Sequence, residues 1–393
     1  MNRGSLSKPR RWKIPLLVVI GVALVGAGAF AGFGLYYSES LKSGALKPDH
    51  GPEKLDLRVV ALEDGRITLA ATKEAKSDGD WTKPGIFGIE WPGGYAQAGA
   101  ILQIDSGSVV REFEPLKGDL KVGHRVRLDS FAFPGDPLEA RRIPFEDVTL
   151  SSELGELPAW FVNGDPAVWA IFVHGKGANR REALRMLPAV KHSGLSSLVI
   201  TYRNDVEAPQ SPDGFYRYGE SEWKDLEAAA QYAVDHGAER LVLVGYSMGG
   251  GIVMSFMLQS SLADRVEALV LDSPMLDFSA TVDHGASSVP GLPNKFGKTV
   301  SGLRFGIHWG RLNYLKRAGG LHVPVLLFHG DADDRVPAET SDKLAQARPD
   351  IVTYVRVKGA GHVRSWNMDP PAYEAKVREF LVHVTAAPPS DLP

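Results

Sequence analysis

Serine, histidine and aspartate make a nucleophile only when held together, and this chain carries each at the end of an apolar run. The pentapeptide Gly245-Tyr246-Ser247-Met248-Gly249 follows the apolar residues 241–244 and leads into a small-residue, Met-containing segment. That order reads as strand, tight turn and helix, with Ser247 at the apex. Glycine at 245 and 249 leaves room for the strand and helix to approach. A serine hydroxyl is a weak nucleophile at neutral pH. It needs a base within hydrogen-bond reach, and the base needs an orienting carboxylate. His362, in Gly359-Ala360-Gly361-His362 after the apolar run 352–357, is the candidate base. Asp331, Asp333 and Asp334, after the run 323–328, are candidate carboxylates. The chemistry these residues suit is acyl transfer through a covalent serine intermediate.

The elements that must position them alternate. Apolar runs at 169–173, 198–202, 241–244, 266–271, 323–328 and 352–357 read as strands. Asn179 with Glu182 three residues on reads as a capping box opening a helix to about Val190. Residues 220–236 read as a helix closed by Gly237, and 371–384 as a last helix. Strands alternating with helices predict an α/β domain over 145–385, a mostly parallel sheet with helices on both faces. Ligands bind such sheets at the carboxyl ends of the strands. Ser247, Asp333, His362 and the turn His174-Gly175-Lys176-Gly177 all fall there.

Upstream, residues 1–13 form a basic tail with Arg3, Lys8, Arg10, Arg11 and Lys13, and residues 14–37 carry no charge. Twenty-four helical residues reach about 36 Å, enough for a hydrocarbon core of about 30 Å. The excess of positive charge before the span places the N-terminus in the cytoplasm and the remaining chain outside, as a single-pass protein of the cell membrane. Trp12, Tyr36 and Tyr37 sit at interfacial positions. A cleaved signal peptide is the competing reading, with Ala27-Gly28-Ala29 and Ala29-Phe30-Ala31 as cleavage-like sites, but the apolar run outlasts a signal peptide's. Gly28 and Gly32 have the spacing of a helix-dimer seam, which small residues in a span also produce.

Residues 38–54 read as a linker. Residues 55–140 read as a β-rich module, with hairpins turning at Asp64-Gly65 and Asp105-Ser106-Gly107 and Trp81, Trp91 and Tyr95 on a Gly/Pro-rich loop. Residues 386–393 read as a disordered tail.

The elbow, the His174-Gly175 turn, the run His329-Gly330-Asp331-Ala332-Asp333-Asp334-Arg335-Val336-Pro337 and the closing Gly361-His362 together resemble the α/β-hydrolase superfamily over 145–385. Tyr202-Arg203-Asn204-Asp205 and Tyr218-Gly219-Glu220-Ser221-Glu222-Trp223 resemble its Bem46-like, serine-aminopeptidase-like esterase branch. The resemblance selects Asp333 as the acid, with Asp272 as second choice. It implies an oxyanion hole from the N–H of Met248 and of Lys176, with Gly177 as the lesser candidate. His174 reads as a structural residue under its loop, and the Lys176 side chain as solvated. Residues 274–320 are too long for a plain loop, and relatives insert a lid here. Its aromatics Phe278, Phe296, Phe305, Trp309 and Tyr314 belong either to the underside of a partly helical lid or to a surface excursion packed on the domain. Phe215, Tyr216 and Tyr218 are further candidates for lining the site.

The composition excludes other chemistries. There is no cysteine, so no disulfide, thiolate nucleophile or thiolate metal site. A net charge of -3 without a basic stripe argues against nucleic acid. The remaining histidines lack metal-ligand spacing, and no cofactor is expected. The reading is a membrane-anchored serine hydrolase acting on a small-molecule acyl or carboxylic-ester substrate. The alternatives are a peptidase or acyltransferase with the same triad, and a non-catalytic surface binding protein on the same fold.

Overall fold

The structure is a computed structural model that describes residues 16–75 and 79–386. The basic tail, Trp12 and residues 387–393 lie outside the described residues. The chain divides into two compact units, one holding residues up to Ala45 together with Ala286–Ile307, the other holding Leu46–Gly285 with His308–Pro393.

Helix α1 (Leu16–Leu41) opens the chain. It is the one helix among the described residues long and apolar enough to cross a membrane. It runs past the expected end of the span, and a π-helical turn, Lys42–Leu46, continues it. The expected linker is thus helical over its first half, because Ser38–Leu41 offer no helix breaker.

A closed six-stranded antiparallel barrel follows: β1 (Leu57–Glu63), β2 (Arg66–Ala71), β3 (Phe87–Trp91), β4 (Gly94–Asp105), β5 (Ser108–Lys117) and β6 (Arg125–Asp129), in the order β1-β2-β5-β4-β3-β6. Alternate residues point inward, among them Leu57, Val59, Ile67, Leu69, Ile89, Ala96, Val109 and Val126. Inward side chains fill a barrel of this size. Of the expected aromatic loop, Trp91 and Tyr95 lie on the β3–β4 hairpin and Trp81 on a 3-10 turn before it, all three buried. Gly88 is a β3 residue whose missing side chain leaves space for the Tyr95 ring. Arg111 is wholly buried and satisfies the carbonyls of Gly99, Lys83 and Gly85.

After a one-turn helix, α2 (Pro137–Arg141), an eight-stranded sheet forms: β7 (Glu146–Ser152), β8 (Gly155–Val162), β9 (Asp165–Val173), β10 (Leu195–Ile200), β11 (Arg240–Tyr246), β12 (Val266–Asp272), β13 (Val325–Gly330) and β14 (Val352–Val357). The order is β14-β13-β12-β11-β9-β10-β8-β7. Six strands run parallel, and β8 and β7 extend the sheet antiparallel. Sequence reading passed over β7 and β8, whose polar residues alternate with apolar ones as at a half-covered edge. The central strands are buried on both faces, hence their continuous apolar runs.

The helices are α3 (Leu187–His192), α4 (Trp223–Asp235), α5 (Met248–Gln259), α6 (Phe278–Gly285), α7 (Gly291–Phe305), α8 (Glu339–Ala347), α9 (Ser365–Met368) and α10 (Pro370–Thr385). The single helix expected from Asn179 is instead a 3-10 turn, Arg180–Arg185, followed by α3. Asn179 caps it by accepting from the Arg181 N–H, but Glu182 turns away to the Gly175 N–H at 2.7 Å. The capping box is therefore half formed, its glutamate diverted to the loop beside Ser247.

Candidate active site

Strand β11 ends at Tyr246 and α5 begins at Met248, so Ser247 alone makes the turn, at φ 50° and ψ −116°. A non-glycine residue in such backbone is strained. Three backbone hydrogen bonds hold it: its N–H donates to Asp272 O at 3.0 Å, and its carbonyl accepts from Gly250 N at 3.0 Å and Met275 N at 2.8 Å. A Cβ on Gly249 would lie 2.1 Å from the Val173 carbonyl oxygen, so glycine is what lets α5 approach β9.

His362 arrives from the loop after β14. Its Nε2 is 2.8 Å from Ser247 Oγ, and its Nδ1 is 2.7 Å from Asp333 Oδ2. Asp333 lies after β13, its carboxylate fully buried. Its Oδ1 accepts from the N–H of Arg335 and of Val336, both at 2.9 Å, and His329 Nε2 is 3.1 Å from its Oδ2. Burial alone would raise the Asp333 pKa. The facing His362 charge and the hydrogen bonds from His329 and His362 outweigh it and hold the carboxyl far below the usual range. The three residues are thus in relay order.

The three other acidic candidates lie elsewhere. Asp331 accepts from Gly359 N at 2.6 Å, and Asp334 lies 3.7 Å from Lys83. Asp272 is buried and accepts from Ser365 at 3.0 Å and Tyr373 at 3.1 Å, and burial raises its pKa.

The turn 174–177 lies against the elbow: a Cβ on Gly175 would meet that of Ser247 at 3.1 Å. The Gly175 N–H is taken by Glu182. Met248 is the first residue of α5, where backbone N–H groups lack intrahelical acceptors. The Lys176 side chain, expected to be solvated, is half-buried. Burial and the like charge of Arg335 depress its pKa, against the pull of Asp49.

The sequence pattern of the prolyl oligopeptidase family matches residues 213–387, and that of a "Domain of unknown function (DUF8805)" matches residues 58–129, the barrel. The uncharacterized protein Rv2307c of Mycobacterium tuberculosis is 27% identical over 239 residues, covering 60% of this chain and 78% of that protein. The uncharacterized protein YfhR of Salmonella typhimurium is 26% identical over 244 residues, covering 56% and 75%. The solved esterase Pf2001 of Pyrococcus furiosus superposes with a TM-score of 0.51 at 21% identity, covering 64% of this chain and 95% of that one. Residues 146–385 have the α/β-hydrolase fold.

Around the three residues, this hydrolase fold builds a buried polar network that sequence reasoning missed. Arg185 donates to the Val363 carbonyl at 2.7 Å, next in chain to His362, and to Asn367 Oδ1 at 2.9 Å, and lies 3.5 Å from Glu182. Asn367 donates to the carbonyls of Ile86 at 2.6 Å and Ser130 at 2.9 Å, at the barrel's edge. Ser273 Oγ accepts from the Val363 N–H at 3.1 Å. The turn before the elbow, the histidine loop and the barrel thus share one network. The available signal was Glu182 and Arg185, paired three apart within an apolar stretch; Asn367 gave none.

His174 pairs with Asp205 at 2.9 Å and stacks on Tyr202, whose hydroxyl donates to the carbonyls of His174 at 3.1 Å and Gly175 at 3.0 Å. Arg203 makes two 2.8 Å side-chain bonds to Asp225, and Glu222 accepts from the N–H of Arg217 and Gly219. The two branch-like motifs therefore act as loop scaffolding. Tyr216 and Tyr218 are buried, Tyr218 against Phe278 at 4.0 Å. Of the insertion's aromatics, Phe278 stacks on Trp309 at 5.5 Å and Tyr314 donates to the Tyr218 carbonyl at 2.9 Å. Phe296 and Phe305 belong to the other unit. No group of acidic or histidine side chains that would hold a metal occurs among the described residues.

Proposed function

We propose that this chain is a membrane-anchored serine hydrolase that cleaves carboxylic esters of small-molecule substrates. The observation that carries the reading is the pair of hydrogen bonds at His362, 2.8 Å to Ser247 Oγ and 2.7 Å to Asp333, at a strained elbow. Ser247 Oγ attacks the ester carbonyl carbon while His362 Nε2 takes its proton. Asp333 fixes the imidazole tautomer and balances the imidazolium. The N–H groups of Met248 and Lys176 receive the oxyanion, with Gly177 as the lesser candidate. The leaving alkoxide takes the proton from His362 and departs, leaving the acyl group on Ser247. Water, deprotonated by His362, then releases the acid and restores the hydroxyl. Helix α1 anchors the chain, and the basic residues before it place the hydrolase domain outside the cytoplasm.

The Pyrococcus furiosus protein of similar fold is an esterase, which supports esters. A peptidase with the same triad is the second reading, favoured by the prolyl oligopeptidase match over 213–387. The test uses the full chain in detergent, treated with a fluorophosphonate probe and assayed on p-nitrophenyl esters of varied length and on prolyl and aminoacyl anilides. The wild-type protein labels and hydrolyses esters, and Ser247→Ala loses about 10⁶-fold in kcat. Absence of labelling overturns the enzyme reading; anilide turnover without ester turnover replaces it with the peptidase.

A further inference from the structure

We propose that α7, in the middle of the insertion between β12 and β13, is a second membrane-contacting element that dips its first turns into the outer leaflet. The inference rests on reading α1 as a membrane anchor.

Helix α7 lies alongside the last turns of α1 within one compact unit, and the two run parallel. Phe296 packs on Phe30 at 4.2 Å, Asn294 accepts from the Tyr37 hydroxyl at 2.5 Å, Arg304 pairs with Glu39 at 2.5 Å, and Lys42 lies over the Phe305 ring. The seam is made close by Gly34, against Phe296 and Val300, and by Gly297, against the Tyr37 ring. Gly28 and Gly32, whose spacing a dimer seam and a plain apolar span share, face open space.

This pairing sets the depth of α7. Counted from Leu16, about 20 helical residues fill a hydrocarbon core of about 30 Å and end near Leu35. Phe30, five residues earlier, sits roughly 7 Å inside the boundary, and Phe296 sits beside it. Leu292 is about one turn deeper, among the acyl chains. Arg304, level with Ser38 and Glu39, lies among the headgroups.

The face of α7 turned away from α1 is suited to that place. Asn294, Gly297 and Ser301 form the buried stripe, and the opposite face presents Leu292, 81% exposed, and Leu303, 84% exposed. Leucines this exposed are costly in water and stabilising in lipid. Gly291–Phe305 holds Lys295, Lys298 and Arg304 and no acidic residue. Lysine stems at this depth carry their ammonium groups up to the headgroup phosphates. The occupant of this face is therefore a lipid bilayer, acyl chains at Leu292 and headgroups at the cationic side chains.

The chain has no cysteine, so single cysteines label specifically. Full-length Val25→Cys, Leu292→Cys and Leu303→Cys, each carrying an NBD fluorophore, are reconstituted into phosphatidylcholine/phosphatidylglycerol vesicles. Each is quenched by aqueous iodide or by doxyl groups at set acyl depths, with the free dye–cysteine conjugate as reference. The expected order of depth is Val25, Leu292, Leu303, with iodide quenching at Leu292 several-fold below the conjugate. A Leu292 label as open to iodide as the conjugate, with Val25 protected, overturns the proposal and leaves the anchor standing. A Leu303 label deeper than Leu292 also overturns it. An iodide-accessible Val25 overturns the anchor reading and this inference with it.

Discussion

The two halves of the site are held by different forces. The Ser247 half is fixed by backbone: a one-residue turn, three main-chain hydrogen bonds, and a glycine with no room for a methyl. The His362 half is fixed by side chains: Asp333 on one imidazole nitrogen, Arg185 and Ser273 on the carbonyl and N–H of the next residue, and Asn367 beyond. Backbone packing against hard neighbours either forms or fails. A hydrogen-bond network degrades in steps. Substitutions in the first half should therefore cost fold and activity together, and those in the second should cost rate first.

The largest effect tests the second half. Asp333→Asn keeps the shape but not the charge that holds the imidazole, and kcat for p-nitrophenyl esters should fall about 10⁴-fold while the protein stays folded at the assay temperature. An unaltered kcat would remove Asp333 from the relay. Arg185→Lys keeps the buried charge but cannot reach Glu182, Asn367 and the Val363 carbonyl at once. A misplacement of His362 of about 1 Å should cost roughly 10²-fold in kcat with KM nearly constant. A rise in KM alone would mean that Arg185 shapes binding and does not position the base.

Gly249→Ala probes the first half. The Val173 carbonyl it strikes is strand backbone and cannot yield, so the folded state should lose at least the roughly 1–3 kcal/mol typical of overpacking. The loss is read from unfolding in detergent, and activity should fall in parallel. Lost activity with an unshifted midpoint would show that the two halves do not differ in this way.

The smallest effect sharpens the boundary, because the turn 174–177 belongs to the first half yet depends on one buried ion pair. Burial alone would lower the His174 pKa. The Asp205 charge and hydrogen bond, with the Gly175 carbonyl, outweigh it and raise it. The folded chain thus binds this proton more tightly than the unfolded one. Its stabilisation is full below the unfolded value of about 6.5 and drains as pH rises through the folded value above that. The unfolding free energy should fall by at most about 1.4 kcal/mol per pH unit in that window, and His174→Gln should flatten the slope. An identical slope in the variant would assign the titration elsewhere.

Much of the site was legible because its signals are local. The Gly245–Gly249 turn needs small residues at fixed offsets, and a buried parallel strand must be apolar along its length, so the ends of β11, β13 and β14 announce Ser247, Asp333 and His362. The failures came where a residue answers to a distant partner. Glu182 reads as a helix cap and serves Gly175; Lys176 reads as solvated and is half-buried near Arg335.

The sequence by itself determined the strand–turn–helix at Ser247, the order of the three site residues, the parallel sheet and the apolar helix, each written in residues adjacent or periodically spaced along the chain. Only the tertiary structure decided that 57–129 closes into a barrel, that Arg185 and Asn367 tie that barrel to the histidine loop, and that the insertion lays α7 against α1. Those contacts join residues tens to hundreds of positions apart, and no local periodicity encodes which buried polar group meets which.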